Sequence, residues 1–535
     1  MIELEKMRFL KFTGACFLSA ILFFISWPPN GYTGLIFISF VPLLYLVLNF
    51  DKHRSKLAVF TLFLYLLAAF FLINFSLTSW VMNAHWGGGL FASLLNTFLM
   101  SSVFILVYFV NRYKGLKHAY ISLSVFWLSF EYLHLNWELS WPWMSLGNVF
   151  SEQIFWIQWY EYTGVLGGSL WILLVNILVH FSLTSFFKKR TISRPLFILL
   201  IVLIVPIVYS TFIFIESKDL KGEILKVVVI QPNFDPHIEK FNISQDQQIK
   251  SVELLLDSIW YKEPELIVLP ETFLTDWIWE SRIENSSAIK RMRSWLNDYP
   301  ETQILTGAST GKVVYDINLL GPSVRRSKSG TWYEVFNTAL LVSQQESTQI
   351  HHKSKLVPGA EMTPFSSLFK PFLDLFPIEI GGEIGNFGVN DSLFNLNSMH
   401  GDFAPLICYE SVFGEYVSRF AFKHAQWICI ITNDGWWGNS YGHQQHLSYA
   451  RLRAIECRKS VVRSANTGIS ALILPNGTIS SQLAYGEAGV LEGEIVKSEL
   501  ITFYSVHGDY LGRLASFLAF IYLLQLIITN LKKNK

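Results

Sequence analysis

The chain has 535 residues, of which 51% are hydrophobic and only 16% charged, against roughly a quarter charged in an ordinary soluble domain. So little charge cannot cover a solvent-facing surface, and 42 basic against 41 acidic side chains leave a net charge of +1, without the basic field that would make nucleic acid a partner. Four cysteines exclude a disulfide scaffold and the apolar excess excludes disorder, which leaves a protein with a membrane part.

Charge divides the chain. Residues 1–215 hold 13 basic and 7 acidic side chains, and residues 216–535 hold 29 and 34. Apolar runs long enough to cross about 30 Å of hydrocarbon occur near 9–27, 33–50, 57–75, 89–110, 118–135, 163–187, 195–215 and 511–530. The pattern predicts about eight membrane helices: seven in a 1–215 region and the eighth, with a basic tail, in 509–535. The run at 118–135 is the weakest because it holds Glu131 and His134. Lysines and arginines mark cytoplasmic loops. They fill the N-terminus, 52–56, 112–117, 188–194 and the C-terminus, and are absent from 28–32, 76–88 and 136–162. Both termini are therefore expected in the cytoplasm and residues 216–508 on the opposite face. The basic first run ends without a small-residue cleavage site and is read as retained. Trp80, Trp86, Trp137, Trp141, Trp143, Trp156 and Trp159 crowd the non-basic loops, either as an interfacial belt or as the lining of a lipid entrance.

From residue 226 the pattern becomes short β-branched runs: Val227–Gln231, Leu266–Pro270, Gln303–Ala308, Ala339–Val342, Pro405–Tyr409, Trp427–Thr432, Ser460–Arg463 and Ala471–Leu474. Helical periods lie between several, clearest at 245–261 and 442–459, so the class is α/β with mostly buried strands. Three reactive residues stand at or near strand ends, where such folds build sites: Glu271 after Leu266-Ile-Val-Leu-Pro, Lys353 before Ser-Lys-Leu-Val-Pro358, and Cys408 in Leu406-Ile-Cys-Tyr-Glu410. Alone, each has an ordinary structural explanation. Together they supply a thiol acyl-transfer site: a carboxylate base, a thiol nucleophile, and an ammonium that stabilises thiolate and oxyanion, with the Tyr409 N–H as a further oxyanion donor. Cys16, Cys429 and Cys457 read as packing. No Cys or His spacing suits a metal and no Gly-rich phosphate loop follows a strand, so neither metal nor cofactor is expected.

Pro270-Glu271, Lys353 before Leu356-Val357-Pro358, and Ile407-Cys408-Tyr409-Glu410 followed by Asn433-Asp434-Gly-Trp-Trp-Gly438 resemble the Glu-Lys-Cys triad of the nitrilase, or carbon-nitrogen hydrolase, superfamily. Joined to the membrane spans, to Trp141-Pro-Trp-Met-Ser-Leu-Gly-Asn148 and to Phe336-Asn-Thr338, the chain looks like the apolipoprotein N-acyltransferase family. The resemblance implies an integral membrane α-helical bundle plus an α-β-β-α sandwich, 216–508 being the extracytoplasmic catalytic domain. It also implies a multi-pass monomer in the bacterial inner membrane, with this domain on the periplasmic side. Cys408 would take an acyl chain from a phospholipid as a thioester, with Glu271 as base and Lys353 stabilising charge, and pass it to the α-amine of a diacylglyceryl-cysteine on an apolipoprotein. Asn337, Glu361, Tyr409 and Glu410 would support the site. Residues 361–376, including Phe365, and 273–279, including Trp277 and Trp279, are lid candidates, with core packing the competing account; Trp436 and Trp437 are further candidate lipid contacts. Pro358-Gly-Ala-Glu361 and Lys240-Phe241 depart from the more usual Pro-Phe-Gly-Glu and Lys-Trp, which bears on acyl donor and acceptor preference. A membrane-tethered amidase with the same triad is the alternative, and an idle lipid-binding scaffold is a further one.

Overall fold

The computed structural model describes residues 2–50, 56–188, 192–217, 222–316, 321–366, 386–390 and 392–533. They form two compact units, Met1–Ile215 with Asp509–Lys535, and Glu216–Gly508.

The first unit is helical. Six of its described helices are long and apolar enough to cross a membrane: Phe9–Ser26, Lys56–Asn83, Trp86–Lys114, Tyr160–Phe187, Ser193–Glu216 and Tyr510–Lys532. Two of the eight expected spans differ. Residues 33–50 do not form one continuous helix but a 3-10 turn, Thr33–Leu35, and two short helices, Ile36–Ser39 and Val41–Asn49. Pro42, in the first turn of the second, has no N–H to continue the ladder. Asn176 satisfies the break: its Oδ1 accepts from Phe40 N at 2.8 Å and its Nδ2 donates to Ile36 O at 2.9 Å, as backbone away from water requires. Leu116–Leu135 is a helix of 20 residues but less apolar than the six. Its Glu131 is buried, accepting from Trp127 Nε1 (2.8 Å), Leu146 N (2.8 Å) and Ser169 Oγ (2.6 Å). The loop tryptophans are not a uniform belt either: Trp80 and Trp143 are buried edge-on against each other, whereas Trp86 is exposed.

The second unit has fourteen described strands: β1 (Ile224–Gln231), β2 (Leu266–Val268), β3 (Leu274–Trp279), β4 (Gln303–Val313), β5 (Arg325–Arg326), β6 (Trp332–Val342), β7 (Gln349–His352), β8 (Leu396–Ser398), β9 (Gly401–Ile407), β10 (Trp427–Thr432), β11 (Ser460–Ala465), β12 (Ala471–Ile473), β13 (Ile479–Gln482) and β14 (Gly489–Val496). One sheet runs β14-β1-β2-β4-β6-β5, with β3 also on β4 and β7 on β6; the other runs β13-β12-β11-β10-β9-β8. Strand periodicity explains the layers. In β1, Val227 and Val229 point into a core shared with Phe403, Ile407, Trp427, Cys429 and Val462 of the second sheet. Val228 and Ile230 point the other way, onto Ile249 and Val252 of helix Gln245–Leu256 and Ile289 and Met292 of helix Ser287–Trp295. Helices Gly414–Phe422 and Tyr441–Cys457 pack on the outer face of the second sheet, completing an α-β-β-α sandwich.

Two strand ends differ from expectation in a way that matters. β2 stops at Val268 and β9 at Ile407, so Glu271 and Cys408 lie just beyond their strands rather than within them. Thr272 (φ 46°) and Cys408 (φ 52°) both adopt left-handed backbone, uncommon for residues with a Cβ. Gly307 of β4 lies under the first of these turns: a Cβ there would sit 2.4 Å from Thr272 N and 2.6 Å from Glu271 Cα. Gly307→Ala should therefore push the 270–272 turn away and destabilise the domain by about 2 kcal/mol, read as a lower unfolding midpoint of the detergent-solubilised protein together with loss of activity.

Candidate active site

Glu271, Lys353, Glu361 and Asn337 form one bonded cluster. The Lys353 backbone N–H donates to Asn337 O at 2.8 Å, continuing the β7–β6 pairing by one residue, and its side chain turns inward, 1% exposed. Its Nζ donates to Glu361 Oε1 at 2.8 Å and Glu271 Oε1 at 3.2 Å. Asn337 Nδ2 donates to the same two oxygens, at 2.8 Å to Glu271 and 3.2 Å to Glu361. Glu361 is held in turn by Val357 N, 2.8 Å from its Oε2. Burial alone would drive Lys353 toward neutrality, but the carboxylates of Glu271 and Glu361, with Cys408, outweigh it and hold the ammonium well above the ordinary lysine value. This cation is permanent at any working pH.

Cys408 opens a 3-10 turn, Cys408–Val412, at the end of β9. Its thiol is pushed far up, first by burial and then by the charge of Glu271, against the opposing pull of Lys353. It therefore rests protonated and needs a base. Glu410 locks the turn: its Oε2 accepts from Ile407 N (2.8 Å), and its Oε1 from Ser354 N (2.7 Å) and Tyr416 OH (2.7 Å). One buried carboxylate thus ties the Cys408 turn to the segment after Lys353. Burial would raise the Glu410 pKa, yet His351 and the Ser354 and Ile407 amides bring it below the ordinary carboxylate value. The Tyr409 ring is buried edge-on against Phe413.

Sequence reasoning passed over two sets of residues here. Beneath Cys408, Ser411 Oγ donates to Cys408 O at 2.8 Å and lies 2.9 Å from His446 Nε2; His446 Nδ1 lies 2.9 Å from Asp434 Oδ1, and Arg463 Nη2 donates to Asp434 Oδ2 at 2.5 Å. All four side chains are buried. Arg463 and His446 overcome burial and hold Asp434 well below the usual carboxylate range. Asp434 lies in the quoted Asn433–Gly438 motif, but nothing in the spacing pairs it with His446 and Arg463. The second is Lys240, quoted in the sequence only as part of the Lys240-Phe241 departure and given no role at the base: its Nζ donates to Glu271 O and to Thr272 Oγ1, both at 2.8 Å.

The other candidates fall in different places. Trp277 and Trp279 lie on β3, where the Trp277 ring closes over Gly311 and both rings pack against Tyr333; neither joins the bonded cluster. Trp436 stacks on Phe241 and meets His237 edge-on, and Trp437 packs against the His446 ring. Phe365 sits in a left-handed turn (φ 52°), and residues 367–376 of the expected lid lie outside the described residues. The departure at Pro358-Gly-Ala-Glu361 contains Gly359 at φ 80°, in the turn that presents Glu361. Among the described residues no group of His, Cys, Asp and Glu could hold a metal.

A family model described as carbon-nitrogen hydrolase matches residues 226–503. The chain belongs to the carbon-nitrogen hydrolase family. A second model, the apolipoprotein N-acyltransferase N-terminal domain, matches residues 19–178. The chain is 28% identical over 505 residues to the apolipoprotein N-acyltransferase of Chlorobaculum tepidum, covering 91% of this chain and 90% of that one. It is 27% identical over 510 residues to that of Geobacter metallireducens, covering 92% and 91%. These matches set the chain in the apolipoprotein N-acyltransferase branch, as the sequence motifs imply.

Within that branch Glu410 is a brace with a measurable signature. Glu410→Ala leaves the Ile407 and Ser354 amides and the Tyr416 hydroxyl unpaired and should cost about 3 kcal/mol, checked by denaturant unfolding at neutral pH. Because the folded carboxylate is depressed, its contribution is complete above the unfolded-state value. It disappears as pH falls through the folded one, so the gap between wild type and Glu410→Gln should close in acid.

Proposed function

We propose that this protein transfers an acyl chain from a membrane phospholipid to the α-amine of an N-terminal diacylglyceryl-cysteine on an apolipoprotein, through a thioester on Cys408. The observation that carries this reading is the Glu271–Lys353–Glu361–Asn337 cluster around a buried ammonium, with Cys408 within its electrostatic reach, in a chain whose described residues include six helices of membrane-crossing length. Glu271 takes the thiol proton as Sγ attacks the ester carbonyl. Lys353 opposes the charge on sulfur and oxygen, and the tetrahedral intermediate collapses by breaking the C–O bond. The lysophospholipid alcohol leaves with the proton from Glu271. In the second half the amine attacks the thioester and gives its proton to Glu271, the C–S bond breaks, and Sγ recovers the proton. Asn337 and Glu361 fix the Glu271 carboxylate and the Lys353 ammonium through one set of hydrogen bonds.

The sixteen lysines and arginines of the N-terminus, 52–56, 112–117, 188–194 and the C-terminus favour an orientation with the 216–508 domain on the periplasmic face of the inner membrane. The protein would work there as a multi-pass monomer, with phospholipid as donor and diacylglyceryl apolipoprotein as acceptor.

The test is mass spectrometry of the purified protein with phospholipid, followed by a diacylglyceryl-cysteinyl peptide. Wild type should gain an acyl-sized mass on Cys408 and lose it to the peptide amine, and Cys408→Ala should gain none. An adduct discharged only by water would turn the reading toward an amidase. Glu271→Gln should form the adduct at least about 100-fold more slowly, measured by the same mass shift against time.

A further inference from the structure

Lys240 lies in a polar stretch, yet its side chain is only 1% exposed. The turn that carries it is built from its own backbone: Asp235 O accepts from the amides of Glu239 (2.8 Å) and Lys240 (2.9 Å), and Asp235 Oδ1 from those of His237 (2.7 Å) and Ile238 (3.2 Å). Gln248, buried on the helix that follows, donates to Lys240 O at 2.6 Å. The ammonium so delivered reaches the main chain of the base itself, donating to Glu271 O and to the Thr272 hydroxyl. The strained turn at Thr272 is thus held by Lys240 as well as packed against Gly307.

Charge gives this contact a second consequence. In the bonded cluster the carboxylates of Glu271 and Glu361 face the single ammonium of Lys353, leaving a net charge of −1. Moving the thiol proton to Glu271 relocates a negative charge onto sulfur without relieving that excess. Lys240 brings the count to zero, and the charged or titratable groups it faces are Glu271 and Cys408, from the ends of β2 and β9. We propose that Lys240 is a second cationic positioning residue of this active site, holding Glu271 by its backbone and making thiolate formation at Cys408 feasible near neutral pH. The inference rests on the reading of Cys408 as nucleophile and Glu271 as base.

Burial, against the pull of Glu271 and Cys408, brings the Lys240 pKa down to about 8. The side chain is therefore charged below that pH and neutral above it. This separates an electrostatic role from a packing role. The experiment is alkylation of Cys408 by iodoacetamide in the full-length protein in detergent, followed by peptide mass mapping from pH 6 to 10, for wild type and Lys240→Met. The wild-type rate should exceed that of Lys240→Met by at least about tenfold at pH 7. The ratio should shrink toward one above about pH 8, as wild type loses the charge. A ratio near one at pH 7, or one that does not change with pH, overturns the proposal. If Lys240→Met does not fold, Lys240→Gln, which keeps a donor for the Glu271 carbonyl but no charge, is read against the same two criteria. Phospholipid acylation of the wild type is run alongside. Its failure would count against Cys408 as the acyl carrier, whereas normal acylation with an unchanged alkylation ratio would sink the role of Lys240 alone.

Discussion

The Lys353 ammonium, removed from water, is the constraint around which the catalytic domain is arranged. An isolated buried charge is too costly to persist, and a buried pair is tolerated only where its remaining donors and acceptors are also satisfied. Lys353 therefore requires two carboxylates at once, and they come from separate parts of the chain: Glu271 after β2 and Glu361 in the Val357–Met362 turn. Asn337, in the middle of β6, bridges the two carboxylates and fixes how far apart they stand. Sheet register does the rest. β6 pairs with β4 through ten residues and with β7 through four, so a slip of either strand would turn Asn337 to the opposite face and break the cluster.

Cys408 obeys a different constraint. A left-handed backbone at a residue with a Cβ is strained and persists only where its surroundings over-determine it. Here the surroundings are two buried polar assemblies. Glu410 binds the amides on either side of the gap between β9 and the Lys353 segment, and Ser411, backed by His446, Asp434 and Arg463, holds the Cys408 carbonyl. The turn sets Cys408 at the strand end, partly buried and packed against the edge of the sandwich core that the neighbouring Ile407 enters. The two assemblies also saturate Asp434 and Glu410 with donors, which keeps both carboxyls ionised despite burial.

How much of this was legible from the residues depended on what kind of order each part carries. β1, β2, β10 and β11 are buried on both faces and announce themselves as β-branched runs. β14, which pairs with β1 along its whole length, alternates Leu491 and Ile495 with Glu492 and Glu494 and contains Gly493, so no continuous apolar run marks it. β3 carries Asp276 among its aromatics and reads equally well as a loop. The triad was visible because its members stand beside apolar strands and match a family motif. The place of Lys240 beside Glu271 was not, although Lys240-Phe241 stands at a family motif, because a lysine in a polar stretch has the composition of a surface turn, and only the folding of Asp235–Asn242 back on itself takes its side chain inward. Asp434, His446 and Arg463 come from three elements and meet through tertiary packing alone, which spacing does not encode.

The membrane unit applies the same rule in a drier setting, and it accounts for the two spans that differ from expectation. Without water, a broken backbone or a buried carboxylate must be satisfied by protein. Asn176 supplies both the acceptor and the donor that the Ile36–Phe40 break lacks. Glu131, which weakened the span assignment because of its charge, is the acceptor that gathers Trp127, Ser169 and the Leu146 amide. Ser169 also accepts from Gly147 N, and Tyr160 donates to Gly147 O. Gly147 itself cannot carry a side chain there, since a Cβ would stand 2.1 Å from Val165 O. The polar residues that make the helix look less like a span are thus the ones that fix the Trp141–Asn148 loop to the bundle. Among the described residues an apolar count therefore finds six membrane-length helices where charge alternation asks for eight: 116–135 falls short in hydropathy, and 33–49 because its helix is broken.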